Sequence, residues 1–192
     1  MTRGAVLLVA PMLLLASACG GSTSRDAASL DATKIPDAIT VTSPSFANGA
    51  PIPRASTCDG PGTVPALAWH GVPSDTKAIA VVVDDPDAPR GDYVHRVVVG
   101  LTPQTSMLAS VPAGAYELDN TGGTRGWSPP CPPAGTTHHY HFTVYALRSY
   151  VCASDGDDAP TVDCSPPASQ QALREIQDAA IAKGVLVGTY RR

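Results

Sequence analysis

Three apolar runs of seven or eight residues constrain most strongly what this chain can fold into. Each is rich in β-branched or aromatic residues and is bounded by turn-forming residues: 77–83 (KAIAVVV), 94–101 (VHRVVVGL) and 141–147 (HFTVYAL). Short continuous runs of this kind are typical of strands that are buried within a sheet. The sequence therefore predicts three central β-strands.

Shorter strand-like segments occur at 39–42, 66–69 and 185–190. One stretch, 169–183, has apolar residues at helical spacing and predicts a helix that ends at Gly184. The 19 prolines and 17 glycines are scattered along the chain, which indicates many turns between short strands. We therefore expect a mainly β domain, a sandwich or barrel-like core with one late helix packed on it.

The first 18 residues predict a signal peptide. Arg3 provides the positive start, and residues 5–16 form an apolar run that is too short to span a bilayer. The small residues 16–18 before Cys19 fit either ordinary signal cleavage or a bacterial lipobox, in which the Cys19 thiol is acylated. We expect an exported lipoprotein anchored to the cell membrane through Cys19, with plain secretion as the alternative. Residues 19–37 predict a flexible tether, and 38–192 the folded domain.

Four cysteines follow Cys19, and an even number in an exported chain predicts disulfides. Cys152 and Cys164 flank a short polar loop and form the natural local pair. Cys58 and Cys131 would then pair with each other or stay free. No Cys-x-x-Cys motif is present, which argues against a zinc site built on cysteine.

Polar residues of the kinds that bind ligands lie next to the buried strands. The first apolar run leads into the acidic motif 84–89 (DDPDAP), whose two prolines stiffen the turn. His95 lies inside the second run, and residues 131–140 (CPPAGTTHHY) lead into the third. A carboxylate close to an imidazole raises the imidazole pKa and fixes its tautomer. These segments therefore predict a proline-stiffened rim that presents hydrogen-bond donors to an anion.

The order and spacing of these motifs resemble the phosphatidylethanolamine-binding protein family, in its bacterial Raf-kinase-inhibitor-like branch. The resemblance extends over about residues 39–192 and rests on several short motifs: Asp85-Pro86-Asp87-Ala88-Pro89, His95, Cys131-Pro132-Pro133, His138 with Tyr140, Cys58-Asp59-Gly60, residues 65–69 and Gly188 with Tyr190. One such motif would be weak support, whereas the ordered series is specific.

The resemblance implies an antiparallel β-sandwich with Greek-key connections and a small anion pocket, with neither metal nor cofactor. It also implies that the ligand is phosphate, a small carboxylate or a phospholipid headgroup. Some members of the family regulate kinases or proteases by protein contact. The pocket residues that carry over by motif are Asp85, Asp87, His95, His138 and Tyr140, with Pro132 and Pro133 on the wall.

The sequence departs from the family pattern around the rim of this pocket. Arg96 follows the strand histidine where the family usually has tryptophan, and His139 stands where arginine is usual. Residues 126–130 (GWSPP) replace the usual glycine–tyrosine approach to Cys131-Pro132-Pro133. Residues 126–133 together are called the proline loop below. Because side chains alternate along a strand, His139 and His141 should lie on the face opposite His138, which argues against a three-histidine metal site.

These observations predict an exported binding protein for a small anion or phospholipid headgroup, rather than an enzyme. The sequence has no Gly-x-Ser-x-Gly or His-Glu-x-x-His motif. Its formal net charge of −4 and the absence of Lys/Arg runs argue against nucleic acid as a partner. Two alternatives remain: an inhibitor-like module that contacts a protein target and has a vestigial pocket, and a metal- or thiol-dependent enzyme that uses Cys131.

Overall fold

The computed structural model describes residue 1 and residues 35–152 and 168–192. The predicted signal peptide beyond residue 1, Cys19, most of the predicted tether and Cys164 lie outside these ranges. The proposed division of the chain at 18 and 37, and the pairing of Cys152 with Cys164, therefore stay predictions. No helix in the described ranges is long and apolar enough to cross a membrane.

Eight strands and one α-helix make up the described secondary structure, together with a 3-10 turn at Arg54–Ser56. In chain order they are β1 (Thr40–Thr42), β2 (Leu67–His70), β3 (Ala78–Asp85), β4 (Tyr93–Leu101), β5 (Met107–Leu108), β6 (Tyr116–Glu117), β7 (Thr137–Leu147), α1 (Ala168–Ala179) and β8 (Ala180–Arg191).

The strands form two antiparallel sheets. The smaller sheet has the order β1-β2-β5, and the larger has the order β6-β4-β3-β7-β8. β3 is the centre of the larger sheet, where Val82 pairs with Val97 of β4 and with Thr143 of β7. The mainly β, antiparallel architecture predicted for this chain is thus confirmed, with the three apolar runs as the three central strands.

The central strands are apolar without a break because both of their faces are covered. Val81, Val83 and Phe142 belong to a core that also contains Leu67 and Trp69 of the smaller sheet. Alternate residues of the central strands face the other way and form a second core with α1. This core contains Ala80 and Val82 of β3, Val97 and Val99 of β4, and Ala172 and Ile176 of α1. The larger sheet is therefore the middle layer of the domain.

The helix is shorter than the sequence predicted. It ends at Ala179 rather than near Gly184, and the chain continues directly as β8 from Ala180. β8 pairs with β7 along its whole length, so a ladder of backbone hydrogen bonds overrides the helical spacing of residues 180–183. Gly184 serves instead to let the backbone of Ile39 approach, since a Cβ at this position would lie 2.0 Å from the Ile39 carbonyl oxygen.

Two strands are longer than predicted, and this affects the polar residues. β3 extends through Asp84 and Asp85, so these two acids lie within a strand and not in the following turn. β7 begins at Thr137, which places His138 and Tyr140 inside the ladder. Strand alternation then buries Asp85, His138 and Tyr140 and leaves His139 exposed.

Candidate anion-binding site

A cavity of about 230 Å³ lies where β3 ends and where β4 and β7 begin. Five of the seven predicted ligand-binding residues line it: Asp85, His95, Pro132, Pro133 and His138. The remaining lining residues come from the turn after β3, the start of β4 and the proline loop: Ala88, Pro89, Tyr93, Ser128, Pro129 and Cys131. The structure thus brings the acidic motif, the strand histidine and the proline loop to one place, as the motif series predicted.

Asp85 and His138 form the polar floor of the cavity. Nδ1 of His138 lies 2.7 Å from Oδ2 of Asp85, and both side chains are buried. The other carboxylate oxygen of Asp85 accepts the backbone N–H of Asp87 at 3.0 Å. A carboxylate accepts hydrogen bonds, so Nδ1 of His138 carries the hydrogen and donates it. Nε2 is then the ring nitrogen that His138 has left for a ligand.

His95 has the same tautomer for a different reason. Its Nδ1 lies 2.6 Å from the carbonyl oxygen of Ser128, which can only accept, so Nδ1 donates here as well. Burial lowers the pKa of His95, although the bond to Ser128 and the carboxylates of Asp85 and Asp92 act in the opposite direction. His95 is therefore neutral at pH 7, and its Nε2 has a lone pair and no hydrogen.

Aromatic rings surround the two histidines. The ring of Tyr93 lies 4.7 Å from that of His95, and the Tyr93 hydroxyl is 3.2 Å from Oγ of Ser128. Tyr140 packs edge-on against His95 with ring centroids 5.2 Å apart. Tyr140 is fully buried and is not among the residues that line the cavity. Its hydroxyl has no hydrogen-bond partner in the described part of the chain, and burial raises its pKa, so it stays protonated.

Asp87 is at the rim, outside the lining. Its Oδ2 accepts two hydrogen bonds from His139, from the backbone N–H at 2.8 Å and from Nδ1 at 2.7 Å. These bonds lower the pKa of Asp87. The Asp87 carboxylate thus joins the turn after β3 to β7. The cavity lining thus contains Asp85, His95 and His138, while Asp87 and Tyr140 lie outside it.

The proline loop is held against the rest of the domain by a disulfide between Cys58 and Cys131, with Cα atoms 5.4 Å apart. Of the two alternatives that the sequence left open for these cysteines, the structure has the pair. The backbone N–H of Cys58 also donates to the Pro130 carbonyl at 3.1 Å. Pro129 packs on Gly62, where a Cβ would lie 2.8 Å from the proline ring. The loop therefore presents a preformed wall to the cavity.

Three features of the site were not predicted from the sequence: the ring of Tyr93 in the lining, the Ser128 carbonyl that binds His95, and the contact of Arg192 with Cys131. Tyr93 could have been found, since it is two positions before His95 and shares its strand face. Nothing in the motif series pointed to the Ser128 carbonyl. Arg192 lies 3.4 Å from Asp59 and donates to Sγ of Cys131 at 3.6 Å, so the last residue is tied to the disulfide.

The residues that face away from the cavity form separate pairs. His141 lies 3.8 Å from Asp84, on the face of β7 opposite His138, as strand alternation predicted. Burial and the neighbouring carboxylates of Asp92 and Asp85 raise the pKa of Asp84 to about 7. Arg96 is buried and bonded to Glu117, so it is a sheet-packing residue. No group of three or more His, Cys, Asp or Glu side chains in the described ranges is arranged to hold a metal ion.

Comparison with known proteins agrees with this geometry. The family model for the phosphatidylethanolamine-binding proteins matches residues 42–191. The "UPF0098 protein Mb1945c" of Mycobacterium bovis is 40% identical over 204 residues, covering 97% of this chain and 92% of the relative. A Mycobacterium tuberculosis relative named "Putative lipoprotein LppC" is also 40% identical over 204 residues, covering 98% of this chain and 94% of the relative.

A solved structure has the same fold. The crystal structure of E. coli YbcL, titled a new member of the mammalian PEBP family, superimposes with a TM-score of 0.67 at 29% identity, covering 81% of this chain and 99% of that one. The match of the family model over most of the chain, the curated relatives and the shared fold lead to one conclusion: this chain belongs to the phosphatidylethanolamine-binding protein family.

Proposed function

We propose that this chain is an exported binding protein that holds a small anion, such as phosphate or a phosphorylated headgroup, in the cavity between Asp85, His95 and His138. The observation that carries the proposal is the arrangement of the two histidines. Both are buried, both have Nδ1 engaged by a protein acceptor, and both line the same cavity. Each has Nε2 left as the ring atom that can meet a ligand.

The size of the cavity favours a small ligand. At about 230 Å³ it is smaller than the roughly 300–1,000 Å³ of typical pockets for drug-sized molecules. A phosphoryl group with a short substituent fits this volume, whereas the acyl chains of a phospholipid do not. A phospholipid would therefore bind through its headgroup, with the chains remaining outside.

Binding without catalysis is part of the proposal. The sulfur of Cys131 is in the disulfide with Cys58, so the thiol-enzyme alternative lacks its nucleophile. The Ser128 hydroxyl is 3.2 Å from the Tyr93 hydroxyl and is not bonded to a histidine that could act as its base. The lining thus offers no activated nucleophile, while Nε2 of each histidine is left for a ligand, which suits a receptor for an anion.

We further propose that the chain is anchored to the cell membrane by a lipid on Cys19. The name of the mycobacterial lipoprotein relative supports this, as does the small-residue segment before Cys19. A lipid at Cys19 would keep the cavity within a few tens of Å of the membrane surface. The intact mass of the mature protein tests the anchor: an acylated N-terminus at Cys19 is expected, and Cys19→Ala should release an unacylated chain.

Calorimetric titration with inorganic phosphate and with phosphoethanolamine tests the binding function. We expect both anions to bind, and His138→Ala or His95→Ala to weaken binding at least tenfold. His141→Ala is the matched control, because this histidine lies on the opposite face of β7. Failure of the unchanged protein to bind either anion would refute the proposal. It would favour the inhibitor-like alternative, in which a protein partner is retained by pocket variants.

A further inference from the structure

We propose that the cavity selects a phosphomonoester, which retains an acidic P–O–H group, over a phosphodiester. This inference rests on the proposed function, that the cavity binds an anion. The feature that the cavity would recognise is a phosphorus atom that has both an anionic oxygen and a hydroxyl group. Hydrogen phosphate and alkyl monoesters have both groups, whereas a diester has no hydroxyl hydrogen.

The first argument is the charge of the lining. It includes the carboxylate of Asp85 and no lysine or arginine. Arg192 reaches this wall only at Sγ of Cys131, and its guanidinium is paired with Asp59. Burial of an uncompensated negative charge is costly, and a second negative charge near Asp85 adds repulsion. Apart from the one hydroxyl hydrogen that the Tyr93–Ser128 pair leaves over, an anion must therefore bring protons with it.

The second argument is the position of the hydrogens on the two rings. Nδ1 of His95 donates to the Ser128 carbonyl and Nδ1 of His138 donates to Asp85, so both neutral rings have a bare Nε2. A bare Nε2 and an anionic oxygen are both acceptors and repel each other. Each contact between a ring and the ligand thus needs one additional proton, which the solvent supplies.

The two rings differ in which partner should receive that proton. His138 is bonded to the Asp85 carboxylate of β3 and is also near the carboxylate of Asp87, so a proton added in the contact between this ring and the ligand is compensated by negative charge. Tyr140 beside it is uncharged. The proton added on binding therefore lies in the contact between Nε2 of His138 and an anionic oxygen of the ligand.

His95 should stay neutral. Its Nδ1 partner is an uncharged carbonyl, and it is buried. The charged and titratable groups that face it are Asp85 of β3, Asp92 before β4 and His138 of β7; the two carboxylates favour its charged form, and a protonated His138 opposes it. Its bare Nε2 then accepts a hydrogen bond, and a P–O–H group of the ligand is the donor that fits. A diester cannot make this bond.

The proposal predicts uptake of protons on binding. A phosphomonoester has its second ionisation near pH 6, so above this value both the P–O–H proton and the proton in the contact with His138 must be taken up. For each proton taken up, affinity falls about tenfold per pH unit. Monoester binding should therefore weaken between tenfold and a hundredfold per unit above about pH 7.

The test is calorimetric titration of the full-length protein with methyl phosphate, dimethyl phosphate, glycerophosphoethanolamine and sulfate. Measurements at about pH 6 and about pH 8, in buffers with different ionisation enthalpies, count the protons taken up. We expect methyl phosphate to bind at least tenfold more tightly than the two diesters and sulfate, with uptake of more than one proton at the higher pH. The glycerophosphoethanolamine arm distinguishes a lipid headgroup from a free monoester.

The outcomes separate the two proposals. Equal binding of monoester and diester, or monoester binding without proton uptake, would overturn the monoester inference and leave anion binding intact. If none of the anions binds at either pH, the proposed function itself is wrong.

A variant and a spectroscopic measurement supplement the titration. In His95→Gln the side-chain amide can donate, so diester binding should approach monoester binding, while His141→Gln should leave the preference unchanged. The ring ¹⁵N shifts of the unchanged protein report the tautomers directly and do not depend on how a variant folds. A hydrogen on Nε2 of neutral His95 or His138 in the ligand-free protein would overturn the proposal.

Discussion

Nδ1 of His138 lies 2.7 Å from Oδ2 of Asp85, although the two residues are 53 positions apart in sequence. The antiparallel pairing of β3 with β7, in which Asp84 is opposite His141, brings the end of one strand to the start of the other. Because the pair is buried, the bond is electrostatically stronger than it would be in water. Asp85 therefore sets the tautomer of His138.

Asp85→Asn should disable anion binding while preserving the shape of the site. The amide is neutral, so the proton that binding adds between Nε2 of His138 and the ligand loses its compensating carboxylate, and we expect phosphate affinity to fall at least tenfold. The free energy of unfolding should fall by about 1–3 kcal/mol, because a buried charge-assisted hydrogen bond is weakened. Calorimetry and urea unfolding measure the two effects. Asp75→Asn, in an exposed turn, is the control, and unchanged affinity in Asp85→Asn would contradict the role given to this carboxylate.

Loss of the Cys58–Cys131 disulfide should affect both stability and binding. The bond closes a long loop, with a sequence separation of 73, and Cys131 is part of the cavity wall. The double variant Cys58→Ser/Cys131→Ser should lose about 2–4 kcal/mol of unfolding free energy. Phosphate affinity should fall as well, because the Ser128 carbonyl that orients His95 belongs to the same loop.

Denaturant unfolding of the oxidised protein and the variant measures the first effect, and calorimetry the second. Native stability with full anion affinity in the double variant would mean that the prolines alone hold this loop.

Tyr140→Phe should stabilise the protein. The Tyr140 hydroxyl is buried without a hydrogen-bond partner among the described residues, and leaving such a group unsatisfied costs about 1–3 kcal/mol. Its removal should raise the unfolding free energy by up to about 1 kcal/mol and change phosphate affinity less than about twofold, since the side chain is not part of the cavity lining. A tenfold loss of affinity would instead show that the hydroxyl reaches the ligand, as the family resemblance implied.

The sequence predicted the central sheet and most of the site because both depend on local patterns. The apolar runs predict β3, β4 and β7, and the family resemblance carried by the motif order implied that Asp85, His95 and His138 line one pocket, as they do. The end of α1 was predicted too far along the chain, since residues 180–183 have helical spacing but pair with β7. Hydrogen bonding between strands distant in sequence decides such a boundary, and no local pattern reports it.

The same limit applies to Asp87 and to the tautomer of His95. The partner of Asp87 is His139, 52 positions away, and the partner of His95 is a backbone carbonyl 33 positions away. A backbone acceptor has no sequence signature, so the bare Nε2 of His95 could be derived only from the assembled structure. The sequence likewise does not indicate that burial raises the pKa of Asp84.

Asp84→Asn should stabilise the protein at neutral and higher pH. Burial and nearby carboxylates raise the pKa of Asp84 from 3.8 to about 7, so the folded state binds this proton more tightly than the unfolded state does. The stability of the unchanged protein should therefore fall as pH rises through the window between these two values, and the penalty should be fully present above about pH 7. An amide at this position has no proton to lose and can still donate a hydrogen bond to the Asp92 side chain.

The melting temperature of Asp84→Asn should thus vary less over this window and exceed that of the unchanged protein at about pH 8. Asp75→Asn provides the comparison for the loss of an exposed charge, and parallel melting curves for Asp84→Asn and the unchanged protein would contradict the raised pKa.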